Sequence, residues 1–407
     1  MRANLSHDRR MRSSVLFAAL VACTPVQPQP PKQSADASAA VSELRAARFP
    51  EAERASLAIL KHDRKSSTAA AVHAIAKYDQ SVETLVGELG RVLDQGEGLK
   101  FFDHERGRAA WQKFLDDLEV IDLDLEIAAA DPAFSLELCI ACWDHDFNLN
   151  GHLDERDKKF FEVEFDGKGG DLADDDPRRR PTYHFDVGDI YWARAMVSFQ
   201  RAAVELVLAY RWSELDKLLG RDEPDKIVIK LVDAGRVRHA RELMINALGY
   251  SERERQAYLA ETDDDREWVP NPSQKSYAMP LEVDAKLYDS WAAILGDVHR
   301  LLASQEGLSL QDAGKLLLGD HEAARLPAAY ADIGAMLRDP TDVVIDFSGD
   351  HDDAKSYERV MRGLLGHGYV QSMRASPLVA RLRHMKDELD HGDDTLDRKL
   401  HYLIWFN

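Results

Sequence analysis

The clearest structural pattern in this sequence lies at residues 287–301, LYDSWAAILGDVHRL. The large apolar residues on one side of this pattern are Leu287, Trp291, Ile294, Val298 and Leu301. They recur at intervals of four and three positions, which places them on one face of an α-helix. Such a helix buries its apolar face against other elements and exposes its polar face to water. The stretch therefore predicts an amphipathic helix that packs into a larger helical body.

Similar periodicity elsewhere predicts a mainly α-helical protein. Residues 204–219 and 238–248 repeat the helical spacing. Residues 190–208 form the most hydrophobic stretch, but two arginines and a glutamate interrupt it. A membrane-spanning helix needs about 20 predominantly apolar residues, so we interpret this stretch as a buried core helix.

Strand patterns are few. Residues 226–231, KIVIKL, and 343–347, VVIDF, are rich in β-branched side chains. We expect them to pair into a small sheet, although each also suits a helix end. The composition, with 45% hydrophobic and 30% charged residues, is typical of a globular helical protein. The predicted fold class is therefore mainly α: a multi-helix protein of helical hairpins with at most a small β element.

One helical pattern resembles a known repeat. Residues 41–64 place small and aromatic side chains at Ala47, Phe49 and Ala52, and residues 235–247 repeat this spacing. The pattern resembles the second helix of a tetratricopeptide (TPR) repeat, but the first half of the repeat is missing. The resemblance implies closely packed helices that bind other proteins. The alternative is any antiparallel helical hairpin.

The strongest chemical pattern is the twelve-residue run 146–157, DFNLNGHLDERD. Calcium is a hard cation that binds six to eight oxygen atoms at about 2.3–2.6 Å. The run offers oxygen-bearing groups at alternate positions, and Gly151 permits a sharp turn around an ion. The predicted ligands are Asp146, Asn148, Asn150, the backbone carbonyl of His152, Asp154 and Asp157.

This run resembles an EF-hand calcium loop. Asp157 stands where the commonest EF-hand pattern has Glu, and in this respect the loop resembles those of dockerin modules. The resemblance implies a Ca²⁺ cofactor, with Mg²⁺ as the alternative ion, and a weak Kd of about 10⁻⁴–10⁻³ M. It also implies that Leu153 anchors the loop in the core, that a helix of about three turns follows Pro132, and that residues 158–163 form the exiting helix. The alternative is a solvated turn.

Cys139 and Cys142 precede this loop as Cys-Ile-Ala-Cys. The pair suits a disulfide, or two buried thiols on the helix that enters the loop. A redox pair and a metal site that includes His145 or His152 are the other interpretations. A haem c attachment site is excluded, because Trp143 follows the second cysteine where that motif requires His.

The N-terminus indicates export. Three arginines precede a short apolar run at residues 15–22, which is typical of a secretory signal with its start at Met1 or Met11. The run ends as Leu-Val-Ala-Cys23 and resembles the lipobox of bacterial lipoproteins. The resemblance implies cleavage of residues 1–22, lipidation of Cys23 and residence in the bacterial cell envelope. An ordinary signal peptide is the alternative.

The residues after the lipobox refine this location. Residue 24 is Thr, and not the aspartate that often retains lipoproteins at the inner membrane, so we expect the outer membrane or cell surface. Residues 23–38 are rich in Pro, Gln and Ser and predict a disordered tether. The predicted contact with the membrane is through the lipid anchor alone.

The charge excludes one class of partner. The chain has 72 acidic and 52 basic residues, a net charge of −20. Nucleic acid selects for a basic surface, so we do not expect it as a partner. The expected partners are the calcium ion and other envelope proteins that contact the helical surfaces.

We expect three regions after the tether. Residues 39–260 form a helical region that contains the calcium loop, residues 261–280 an acidic and proline-containing solvated loop, and residues 281–407 a second helical region. The sequence favours a non-enzymatic, lipid-anchored calcium-binding protein. The alternatives are a TPR-like scaffold with a vestigial metal loop, and a thiol-redox or hydrolytic enzyme with structural calcium, although no catalytic set is readable.

Overall fold

The computed structural model describes residues 36–93, 103–147, 149–159, 161–166, 170–219, 224–262, 264, 266–279, 283–348 and 354–389. The predicted signal peptide, Cys23 and all but the last three residues of the predicted tether lie outside this set. Ser38, the last residue of that tether, already begins a helix. No helix among the described residues is long and apolar enough to cross a membrane.

Helices dominate the described chain. In chain order the α-helices are α1 (Ser38–Arg45), α2 (Phe49–Leu60), α3 (Ser67–Leu93), α4 (His104–Ala129), α5 (Glu155–Lys159), α6 (Val187–Ala209), α7 (Ala234–Ala260), α8 (Ala285–Leu302), α9 (Leu310–Leu317), α10 (Asp320–Ala323), α11 (Ile333–Arg338), α12 (Ala354–Leu365) and α13 (Leu378–Leu389). Short 3₁₀ helices lie at Ile140–Cys142, Pro177–Arg179, Trp212–Leu219 and Gly366–Gly368. The prediction of a mainly α, multi-helix fold is therefore confirmed.

The strands are short and antiparallel. They are β1 (Leu136–Leu138), β2 (Tyr183–Phe185), β3 (Tyr210–Arg211), β4 (Lys226–Leu231), β5 (Leu308–Ser309), β6 (Tyr330–Ala331), β7 (Val343–Asp346) and β8 (Tyr369–Val370). The two predicted strands pair as β4 and β7, with Ile227 opposite Ile345, which confirms the predicted sheet. β3 extends this sheet, β1 pairs with β2, and β5, β6 and β8 form a third sheet.

The N-terminal helices share one hydrophobic core with α6. Leu44, Phe49 and Leu118 are buried in it together with Val197 of α6. The segment with TPR-like spacing is not one continuous helix, because the chain turns at Ala47 (φ 54°) and restarts at Phe49. Proline cannot sit in a helix interior, and Pro50 occupies the first turn of α2, where its missing N–H costs nothing. The TPR resemblance itself stays a prediction.

Helix α6 is the buried core helix that the sequence predicts at residues 190–208. Its first turn is capped by Asp186, whose Oδ1 accepts the N–H of Gly188 at 2.6 Å. The predicted helix over residues 204–219 is interrupted at Tyr210 and Arg211, and residues 212–219 form a 3₁₀ helix. At the end of α6 the side chain of Arg108 donates to the carbonyl oxygens of Leu208 (2.7 Å) and Tyr210 (2.8 Å), which ends the helix, and the chain turns into β3.

Helix α8 confirms the amphipathic pattern from which the fold class was predicted. It spans Ala285–Leu302 and buries Trp291 and Leu301. The predicted helix at residues 238–248 lies inside the much longer α7. The described helices on both sides of residues 261–280 belong to one compact unit.

The prediction that residues 261–280 form a solvated loop is wrong, because part of this segment is buried. Trp268 is only 3% exposed, and Val269 is fully buried. The indole of Trp268 packs against the rings of Tyr183 (centroids 4.7 Å apart) and Phe185 (5.5 Å). Acidic residues dominate the local composition, but two apolar side chains and their aromatic partners determine where the segment lies.

Candidate calcium-binding loop

The chain enters the candidate loop from a strand, which corrects the predicted entering helix. β1 pairs with β2, placing Leu136 opposite Phe185, and the 3₁₀ turn Ile140–Cys142 follows it. Residues after Pro132 fit a helical pattern locally. Pairing with a strand far along the chain gives their backbone groups partners that a three-turn helix would otherwise provide.

A disulfide lies just before the loop. Cys139 and Cys142 are bonded, with Cα atoms 5.2 Å apart. The interpretation as two thiols buried on a helix is therefore wrong, since the pair is bonded, lies on a 3₁₀ turn and leaves Cys142 exposed. The metal interpretation that combines these sulfurs with His145 also fails, because the sulfurs bind each other and His145 is engaged elsewhere.

Aromatic contacts fix the entry to the loop. Trp143 is buried, and its ring lies 5.3 Å from that of Phe49 at right angles. The second residue of the loop, Phe147, packs against Phe161 beyond the loop's end, with ring centroids 5.1 Å apart. These contacts bring the two ends of the loop together and attach them to the N-terminal core.

An ion pair adds to this attachment. His145 Nε2 lies 2.7 Å from Asp79 Oδ1 of α3. The hydrogen bond with Asp79 raises the pKa of His145, against a smaller opposite effect of burial. The side chain of His145 is therefore directed to α3, and it keeps Asp146, the next residue, close to the helical body.

Hydrogen bonds inside the loop join the predicted ligand positions to one another. Asp146 accepts the main-chain N–H of Asn150 at Oδ1 (3.2 Å) and that of Gly151 at Oδ2 (2.7 Å). The side-chain amide of Asn150 donates to Asp154 Oδ2 (3.1 Å), and Asp157 Oδ2 accepts the N–H of Asp154 (2.8 Å). The loop therefore folds back on itself through hydrogen bonds between predicted ligand residues.

The turn has the backbone that the sequence predicts. Gly151 adopts φ +83°, the left-handed conformation that glycine accepts without strain. The N–H of His152 donates to Asn150 Oδ1 (2.8 Å), while the imidazole is exposed. Asn148, the predicted ligand at the third position, lies outside the described residues.

The exit from the loop departs from prediction in two ways. α5 begins at Glu155, inside the loop, and ends at Lys159, so residues 161–163 are not helical. The N–H of Val163 instead donates to the carbonyl of Arg179 (3.0 Å), in an extended pairing that a helix would exclude. Leu153, the predicted core anchor, is 50% exposed, and Phe147 and Phe161 anchor the loop in its place.

The carboxylates of the loop differ in burial. Asp157 is only 2% exposed, whereas Asp154 lies nearer the surface. Hydrogen bonding to the N–H of Arg156 lowers the pKa of Asp154, so this group is ionised at neutral pH. Within the described residues, no group of three or more His, Cys, Asp or Glu side chains is arranged to hold a metal ion.

A buried carboxyl cluster was not foreseen from the sequence. Asp189 of α6 is buried and accepts a hydrogen bond from the hydroxyl of Tyr258 (2.8 Å). Burial, together with the negative charge of Asp186, raises the pKa of Glu261 to about 10. Burial likewise raises the pKa of Asp189. The only local clue is the cap formed by Asp186 and Asp189 at the start of α6.

The predicted loop 261–280 covers this cluster. The side-chain amide of Asn271 donates to the carbonyls of Tyr258 (3.0 Å) and Glu261 (3.2 Å).

A serine–histidine contact lies on the neighbouring sheet, with Ser135 Oγ 2.7 Å from His184 Nε2. It was not readable from the sequence, because 49 residues separate the pair, and it joins β2 to the chain that precedes β1.

The chain has no match among protein-family models, curated proteins or solved structures. Its functional assignment therefore depends on the chemistry of its own residues.

Proposed function

We propose that this chain is an extracytoplasmic, lipid-anchored calcium-binding protein without enzymatic activity. One calcium ion binds in the loop 146–157 and fixes the connection between the N-terminal helices and the β1–β2 sheet. The helical body binds other proteins of the cell envelope. The role of the ion is structural and not regulatory.

One observation carries the calcium assignment. Four internal hydrogen bonds of the loop join positions of the calcium pattern, from Asp146 to Asn150 and Gly151, from Asn150 to Asp154, and from Asp154 to Asp157. These contacts hold hard oxygen donors around one short turn. In the bound state the carboxylates exchange part of this internal hydrogen bonding for the ion.

The donor set favours calcium over the alternatives. All predicted ligands are carboxylate, amide or main-chain oxygens, which suit a hard cation and not zinc. Mg²⁺ requires a near-ideal octahedron at about 2.0–2.1 Å, whereas Ca²⁺ accepts the irregular geometry of a flexible loop. The residues that would hold the ion are Asp146, Asn148, Asn150, His152 through its carbonyl, Asp154 and Asp157.

The attachment of the loop supports a structural role. Phe147 and Phe161 hold its two ends together, and His145 ties its entry to α3. An ion at a concentration equal to its Kd adds only about 0.4 kcal/mol to stability, and about 2.7 kcal/mol at 100 times Kd. Calcium outside cells is abundant and steady, so the expected effect is constant stiffening.

The disulfide supports the proposed location. Disulfides persist in oxidising compartments such as the bacterial periplasm and the cell surface, and they are rare in the cytosol. The bond between Cys139 and Cys142 therefore agrees with export by the N-terminal signal. Lipidation at Cys23 is a proposal from the sequence alone, and mass spectrometry of the protein from membranes tests it.

Calorimetric titration of a chain that begins at residue 24 tests calcium binding. We expect one ion per chain with a Kd of about 10⁻⁴–10⁻³ M. Asp146→Ala removes an oxygen ligand and the acceptor of two main-chain N–H groups, and it should abolish the heat. Asp144→Ala is the matched control, because Asp144 is exposed, lies two residues away and is outside the pattern. An absence of heat, or equal isotherms for the two variants, would contradict the proposal.

A thiol–disulfide oxidoreductase is the second candidate. It is favoured by the Cys-x-x-Cys disulfide, in which Cys142 is exposed and therefore accessible to another thiol. Catalysis of insulin reduction in the presence of dithiothreitol tests it. Activity that is lost in Cys142→Ser would support this candidate, and a rate equal to that of dithiothreitol alone would remove it.

A further inference from the structure

The helical body contains a cleft that shares no residue with the calcium loop. It has a volume of about 840 Å³, within the usual range for small-molecule sites. The cleft forms where the end of α3, the first two turns of α4, the end of α6 and the 3₁₀ helix Trp212–Leu219 meet. None of the roles proposed above uses this cleft.

Most of its surface is apolar. Trp111 and Trp212 contribute two indole rings, and Leu89, Val207 and Val232 complete the wall. The indole of Trp212 donates its N–H to the carbonyl of Val207 (2.7 Å), which fixes the ring. The ring also packs against that of Tyr210, with centroids 6.3 Å apart, and its remaining apolar surface lines the cleft.

Among the residues that the structure describes, two arginines at this apolar wall have no acidic partner. Arg108 donates to the carbonyls of Leu208 and Tyr210, so the end of α6 holds its guanidinium in place. Arg211 is exposed. Within the described residues no carboxylate lies within ion-pairing distance of either side chain, although the chain carries a net charge of −20. Arg106, two residues from Arg108, does pair, with Glu88 at 2.8 Å.

The other charged residues of the cleft do not cancel the positive charge of Arg108 and Arg211. His104 Nε2 lies 2.9 Å from Asp216 Oδ2, an interaction that is complete without a ligand. Glu105 also lines the cleft, but it is exposed in the first turn of α4, where the helix dipole stabilises a negative charge. The cleft therefore combines flat apolar surface with two guanidinium groups.

We propose that this cleft binds a small organic anion with a flat apolar body. The carboxylate or sulfonate of the ligand pairs with Arg211, and Arg108 adds a second positive charge to the lining of the cleft. The apolar body covers the indoles of Trp111 and Trp212. Charge-assisted hydrogen bonds to arginine give the site its preference for anions, and the apolar wall provides most of the buried area.

Two fluorescent probes that differ in one charge test this site. Anilinonaphthalene sulfonate carries an anion on its aromatic body, and phenylnaphthylamine has the same rings without the sulfonate. We expect saturable binding of one sulfonate probe per chain, about tenfold tighter than the neutral probe. Equal affinity of the two probes, or fluorescence that does not saturate, would overturn the proposal.

Substitution of the exposed arginine localises the site. Arg211→Gln should weaken binding of the sulfonate probe about tenfold and leave binding of the neutral probe unchanged. Arg64→Gln is the matched control, because Arg64 is also exposed and precedes α3 at the end opposite Leu89, about 30 Å away along the helix. If both variants bind the sulfonate probe as the original chain does, the anion site is not at this cleft.

Discussion

The loop 146–157 and the buried cluster at the start of α6 are both rich in carboxyl groups, yet they hold different partners. In the loop, Asp146 accepts two main-chain N–H groups, and hydrogen bonding lowers the pKa of Asp154. In the cluster, burial raises the pKa of Asp189 and Glu261. The first region therefore favours the charged form of Asp154, whereas the second retains protons. Backbone donors and solvent, and not the number of acids, decide between these outcomes.

The largest expected effect concerns the cover of the buried cluster. Trp268→Ala should reduce the free energy of unfolding by about 3–5 kcal/mol, because it removes a buried indole that packs on Tyr183 and Phe185. Urea unfolding measures this loss. Lys275→Ala, an exposed substitution in the same segment, is the control and should change stability by less than about 0.5 kcal/mol. A small effect of Trp268→Ala would mean that residues 261–280 are a solvated loop after all.

The next effect is a dependence of stability on pH. The pKa of Glu261 is about 10 in the folded chain against an ordinary value of 4.5. Between these values the folded state binds the extra proton. The stability that Glu261 contributes is therefore fully present below about pH 4.5 and is lost as the pH rises toward about 10.

Urea unfolding across this window measures the effect. Allowing for the partial exposure of Glu261, we expect a loss of about 3 kcal/mol between about pH 5 and about pH 9. Glu261→Gln keeps the hydrogen-bonding shape without the ionisable group, and it should flatten this dependence. A slope that is unchanged in the variant would show that Glu261 is not the proton-holding group.

The disulfide gives a smaller effect in the other region. Replacing both Cys139 and Cys142 with Ser should reduce stability by about 2 kcal/mol, the value for closing a very short loop. The variant should also bind calcium more weakly, because the disulfide fixes the 3₁₀ turn, and this turn and Trp143 position the start of the loop. Urea unfolding and calcium titration measure the two effects. A stability loss with no change in calcium affinity would separate the disulfide from the loop.

The smallest expected effect is at Leu153. The EF-hand resemblance predicts a core anchor at this position, but the side chain is half exposed. Leu153→Ser should therefore change the free energy of unfolding by less than about 0.5 kcal/mol. A loss of 2 kcal/mol or more in thermal or urea unfolding would restore the anchoring role that the structure assigns to Phe147 and Phe161.

The sequence predicts the helices and strands that depend on residues close together in the chain. The spacing at Trp291 predicts α8, and the β-branched runs predict β4 and β7, because these patterns act over a few residues. The prediction fails where the contacting residues lie far apart in the chain. The chain before the loop forms β1 because β2 offers it backbone partners, and Trp268 is buried because Tyr183 and Phe185 surround it.

The candidate site divides in the same way. The turn at Gly151 and the contacts among Asp146, Asn150 and Asp154 follow from the twelve-residue pattern. Its attachment to the fold does not follow from the pattern, because Phe161 packs on Phe147 from beyond the loop and Asp79 pairs with His145, the residue before it.

Proton release during calcium binding tests the contrast between the two regions most directly. Calorimetric titration with calcium at about pH 7, in two buffers of different ionisation enthalpy, counts the protons released for each ion bound. We predict that Glu261→Gln binds one calcium and releases the same number of protons as the original chain, while Asp146→Ala does not bind. If calcium instead displaces a proton that disappears in Glu261→Gln, the ion binds at the buried cluster and the proposed loop site is wrong.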